Sequence, residues 1–181
     1  MHFFERYTPD LICRRLGLDG FSHVSAYKHW ERGICILYLP SFHPEACINI
    51  FSTRNEARVS FTSFLGESLW ETEDTVRIPS CQEMHSLTTA EFEDYWKATS
   101  PKAIPPQSTD RILDGVGCHF FVKRGGASTV FKTNISPASL ARDAAQSTVE
   151  LCGSKLVEKI CSDTLESLAL TFGVSTHNRR K

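Results

Sequence analysis

Residues 116–172 constrain this chain more than any other stretch. Asp114-Gly115 leads into an apolar run over residues 116–122, and Lys123-Arg124-Gly125-Gly126 makes a turn. A second strand-like run ends near Ile135, and Ser136-Pro137 opens a long helical pattern. Two such runs joined by Gly-Gly spell a β-hairpin, because glycine supplies the left-handed backbone that tight hairpin turns need. Ser136 suits an N-cap and Pro137 the first helical position. A hairpin handing over to a helix makes the chain a mixed α and β domain.

Inside the helical pattern, Leu140, Ala144, Thr148 and Leu151 mark one face. Gly153 interrupts it. Leu156, Val157, Ile160, Cys161, Leu165, Leu168 and Phe172 then mark a second amphipathic stretch, which Gly173 stops. Propensity leaves open whether Gly153 splits one helix into two, since its cost is only ~1 kcal/mol relative to alanine.

Upstream, residues 34–39 form a continuous β-branched and aromatic run, the pattern of a strand buried on both faces. Residues 47–51 and 58–64 alternate. Val59 and Phe61 are expected inward, with Arg58, Ser60 and Thr62 outward, and Arg54-Asn55-Glu56 forms the turn between the two runs. Residues 21–30 read as a further strand, residues 69–78 as a weaker one, and residues 10–16 as a short helix. Thr88-Thr89-Ala90-Glu91 matches a capping box, which starts a helix over 89–98 with Phe92, Tyr95 and Trp96 on one face.

The fold expected is α+β: an antiparallel sheet of about six strands, one central helix and a C-terminal helical layer. The sheet should bury Ile36, Ile48, Ile50, Val59, Phe61, Phe120 and Phe131. The helical layer should add Leu140, Leu151, Ile160, Leu165 and Leu168. Residues 1–181 read as one domain, with the Pro-rich stretch 101–110 a loop joining two parts of one sheet.

A chain of 181 residues can bury roughly 70% of its unfolded surface, so neither disulfide nor metal is required to hold a core. The net charge of −1 gives no global attraction to nucleic acid or an anionic membrane. The seven cysteines are odd in number, irregularly spaced and without a CxxC pair. Reduced thiols and a cytoplasmic home follow. The start of the chain lacks an apolar core of secretory length, and no apolar run approaches the ~20 residues that span a bilayer.

Candidate chemistry is sparse. Cys118 and His119 are adjacent, so on a strand they point to opposite faces and cannot serve each other. Cys81 and His85 could meet in a turn as nucleophile and base of a small hydrolase or transferase. A zinc site would draw on Cys81, His85, His43 and Cys47, but only one loose ligand pair exists where structural zinc takes two close ones. Asp110 and Asp114 lack a third acid at nuclease spacing. No catalytic residue, metal ligand or cofactor is assigned. Glu71, Glu73 and Asp74 form an acidic cluster that could face a basic partner, and Trp70 and Trp96 are the aromatic contacts to go with it.

The layout of Leu113-Asp114-Gly115-Val116, the strand through His119-Phe120-Phe121-Val122, the Gly125-Gly126 turn, the strand to Asn134 and then Ser136-Pro137 resembles that of small bacterial immunity-type proteins of toxin/immunity pairs. Ser136 departs from it, standing where an aromatic residue is usual. The resemblance covers residues 113–172 and implies a cytoplasmic inhibitor that sequesters a toxin enzyme without a cofactor. It carries over no individual residue.

Overall fold

A computed structural model describes residues 8–18, 21, 27–40, 43–66, 79–105, 116–134 and 139–173. Its elements run α1 (Pro9–Arg15), β1 (Arg32–Pro40), β2 (Ala46–Ser52), β3 (Ala57–Phe64), β4 (Ser80–Leu87), α2 (Thr89–Thr99), β5 (Val116–Arg124), β6 (Ala127–Asn134), α3 (Leu140–Gly153) and α4 (Lys159–Thr171). The fold is α+β. Among the described residues six strands form one sheet in the order β4-β3-β2-β1-β5-β6, every neighbouring pair antiparallel. Strands from both sides of residues 101–110 therefore share a sheet.

The topology follows from the apolar runs. β1 is the most apolar strand, and it occupies the centre between β2 and β5, buried on both faces. Ile34, Ile36 and Tyr38 face one side, with Ile48, Ile50, Phe61, Phe120 and Val122. α2, α3 and α4 cover that side. Small residues Ala141, Ala144 and Ala145 let α3 lie close to the sheet, where the Tyr38 hydroxyl donates to the Ala145 carbonyl at 3.0 Å. Cys35, Leu37, Cys47, Phe64 and Phe121 face the other side, covered by Ile12, Cys13 and Leu16 of the α1 region together with Phe21, Tyr27 and Trp30. Trp30 stacks on Phe51 with centroids 4.6 Å apart. A Cβ on Gly33 would come within 2.6 Å of that indole and 2.8 Å of Phe51, so glycine is what lets the ring lie down on β1.

Several expectations shift. Residues 27–30 make a tight turn, Trp30 N donating to Tyr27 O at 3.0 Å, and not a strand. Ser60 and Thr62 are buried, because the sheet is covered on both faces where one-sided cover was expected. The cap of α3 is Ser139, whose side chain accepts from Arg142 N; Ser136 and Pro137 lie outside the described residues. Starting at Leu140, α3 buries Ala141, Ala144, Ala145, Thr148, Val149 and Cys152, and Leu140 is half exposed at 51%. Ile160 is likewise exposed, since the core stripe of α4 runs Cys161, Leu165, Leu168, Ala169 and Phe172. Phe131 and Leu151 are half-buried against the core. Gly153 does end a helix, and α3 and α4 form a hairpin closed by Arg142 donating to the Phe172 carbonyl at 3.2 Å. The capping box at Thr88 and Glu91 forms as expected, with Thr88 N to the Glu91 carboxylate at 2.8 Å. The strand expected over 69–78 lies outside the described residues. Among the described residues no helix is long and apolar enough to cross a membrane.

Candidate functional site

Of the five residues expected to contact a partner, the structure describes Trp96. Trp70, Glu71, Glu73 and Asp74 lie outside the described residues, as do Asp110 and Asp114. Trp96 is half-buried on α2, one turn after Phe92, and the two rings stack with centroids 6.0 Å apart and planes 16° from parallel. Arg32, at the start of β1, lays its guanidinium 5.3 Å from the Phe92 centroid and 5.8 Å from that of Trp96. Glu93 holds the guanidinium from the side through two hydrogen bonds, one of 3.0 Å between Nη1 and Oε2 and a shorter one between Nη2 and Oε1. A forked pair of this kind fixes both position and plane. The Glu93 carboxyl is held below its ordinary value by Arg32, whose own pKa is raised by Glu93. Trp96 thus belongs to a clamped aromatic and arginine patch. Sequence spacing shows Phe92, Glu93 and Trp96 on neighbouring faces of one helix. It could not show Arg32, which reaches them from a strand some sixty residues away.

Cys81 and His85 do not meet in a turn. Both lie on β4, with Glu83 between them, and β4 alternates so that Cys81, Glu83 and Leu87 are buried and His85 half-buried. Four residues of strand place the Cys81 and His85 backbones ~13 Å apart, too far for a direct nucleophile–base contact. The residue that organises this face is Glu83, which sequence reasoning passed over. Its carboxylate accepts from Val157 N at 2.7 Å and Glu158 N at 3.2 Å, and forms a short hydrogen bond with His85 Nε2. Burial pushes its pKa up, but these donors outweigh burial and the net shift is downward. Burial, then the neighbouring Cys81 thiol, push the thiol pKa of Cys161, on α4, up. The period-two pattern Cys81, Glu83, His85 was the available signal for β4, hidden because a buried glutamate reads as a loop residue.

The zinc set considered from sequence is not assembled. Cys47 lies on the opposite face of the sheet, 3.6 Å from Cys35, and His43 Nδ1 pairs with the Ser167 hydroxyl at 2.9 Å. All seven cysteines are unpaired and buried. Cys118 and His119 do point apart. Cys118 enters the helix-side core, while His119 sits edge-on to Phe21 at 6.1 Å, half-buried on the other face of the sheet. Burial, then Lys132, pull His119 down to about 4. Trp30 and Tyr95 are core residues, the Tyr95 hydroxyl bonding Thr148 Oγ1 at 2.8 Å.

No protein-family model, curated protein or solved structure matches this chain.

Proposed function

We propose that this chain is a protein-binding module of the immunity or antitoxin kind, which holds a toxin enzyme in an inhibited complex in the cytoplasm. The observation that supports it is the clamped Arg32–Trp96 patch. Tryptophan and arginine carry a disproportionate share of interface energy. Side chains already fixed by Glu93 and Phe92 lose little freedom on association, so more of the contact energy appears as affinity. Glu71, Glu73 and Asp74 would draw in a basic toxin domain and Trp70 would pack beside it. The seven free thiols suit a reducing compartment. Occlusion of an enzyme needs no cofactor and no turnover. The inhibitor character itself rests on the resemblance over residues 113–172.

The test is co-expression with the toxin encoded beside the gene. A one-to-one complex and suppressed toxicity are expected. Trp96→Ala should weaken the complex by roughly 30-fold, the effect of losing about 2 kcal/mol at a central interface residue. Joint charge reversal at Glu71, Glu73 and Asp74 should slow association and flatten its salt dependence. No complex and no rescue would end the reading. A complex indifferent to both Trp96→Ala and Arg32→Ala would remove the patch from it.

A further inference from the structure

β4 and the first turn of α4 face each other with metal-binding donors, and we propose that they build a Zn2+ site with Glu83, Glu158 and Cys161 as ligands. The donor atoms of these three side chains all lie within 4.8 Å of one another. A zinc ion sits ~2.0–2.3 Å from carboxylate oxygen and thiolate sulfur, so small side-chain movements close the set around one ion. The arrangement follows from the two periodicities. Alternation on β4 turns Glu83 toward α4, and one helical turn separates Glu158 from Cys161, so both look back at the strand.

Glu83 has room for a cation. A carboxylate offers about four lone-pair directions, and three are used, by Val157 N, Glu158 N and His85 Nε2. The His85 contact is the kind that orients a ligating carboxylate in metal sites, where ligands are themselves held by hydrogen bonds. Cys81, on the same inward face of β4 and a neighbour of Cys161, offers a further donor for a fourth position. A thiol among the donors favours zinc over calcium or magnesium, which take all-oxygen sets. The metal would pin the link between α3 and α4 to the edge of the sheet, a structural role independent of the partner patch on α2.

The experiment uses the full chain, stripped with a chelator and titrated with ZnCl2 alone. One Zn2+ per chain is expected by calorimetry. The melting temperature should rise by roughly 5–10 °C at a hundredfold excess over Kd. Co2+ in place of Zn2+ should give a thiolate-to-metal absorption band that Cys161→Ser abolishes. Glu158 is exposed and its side chain makes no cap hydrogen bond, so Glu158→Gln should fold as the parent does while binding zinc at least tenfold more weakly. Cys47→Ser, on the opposite face, should bind as the parent does. Failure of the parent to bind, or parent-like binding by both Glu158→Gln and Cys161→Ser, would overturn the site. So would loss of binding in Cys47→Ser alone, which would place the zinc at the other thiol cluster.

Discussion

β4 and β6 each have eight residues and each ends the sheet among the described residues, yet α4 packs on β4 while β6 lies exposed along most of its length. Both strands are rich in polar residues, so composition does not separate them. What separates them is where the polar groups go. β4 points Glu83 and His85 inward, and the Glu83 carboxylate is satisfied by two backbone N–H groups ahead of α4 and by the imidazole. β6 points Ser128, Val130, Lys132 and Asn134 to the face away from the helices, all four exposed. A sheet edge is kept from pairing with other chains either by cover or by charge and short polar side chains. This molecule uses one device at each end.

The contrast predicts unequal sensitivity, and Glu83→Ala should be the most damaging change. It leaves two backbone donors and His85 without their acceptor at a site 8% exposed. Hydrogen bonds to a charged acceptor are the strong ones, so a loss of about 3 kcal/mol is expected, read from the urea midpoint at constant slope. Acidity should reproduce part of it. The Glu83 pKa is lower folded than unfolded. Its contribution is therefore complete above the unfolded value of ~4.3 and drains away as pH falls through the lower folded value. Glu83→Gln should lose that part of the acid slope. A variant with an unchanged slope would show that Glu83 does not hold α4 to the edge.

On β6, Phe131→Ala should follow at about 2 kcal/mol. Its ring stacks on Phe120, centroids 4.7 Å apart and 5° from parallel, but it is only half-buried, below the cost of a full core phenylalanine. Gly125→Ala comes next. Gly125 opens the β5–β6 turn at φ +61°, and a Cβ there meets nothing within 4 Å, so the expected loss of ~1 kcal/mol is purely conformational. Thermal unfolding of both variants measures these effects. If Phe131→Ala cost as much as Glu83→Ala, the two edges would be equally built into the core.

The same contrast explains what could be read from residues alone. The β5–β6 hairpin was legible because apolar runs flank Gly125-Gly126, and α2 because Thr88 and Glu91 cap it reciprocally. β4 was not, since its inward face carries Glu83 and His85, whose burial is tolerable only because Val157 and Glu158, far along the chain, bring their backbone N–H groups to it. The surface patch was half legible for the same reason. Trp96 shows its place on a helix, but Arg32 reaches it from β1. Leu140 and Ile160 misled because each is an apolar residue at the rim of its helix's stripe: the buried face of α3 runs through the small residues Ala141, Ala144 and Ala145, and that of α4 through Cys161, Leu165 and Leu168.

The smallest effect is expected at Val130, and it tests the proposed binding surface as well as the edge. Val130 is 53% exposed on the face of β6 away from Phe131. Val130→Lys removes little packing and adds a charge of the kind that protects edges, so stability should change by less than ~0.5 kcal/mol. Partner affinity should also hold, because the proposed contact sits on α2 and the start of β1, not on β6. A parent-like melting temperature combined with lost binding would make β6 the docking edge, through addition of a partner strand alongside it. The Arg32–Trp96 patch would then be a brace for α2 and nothing more.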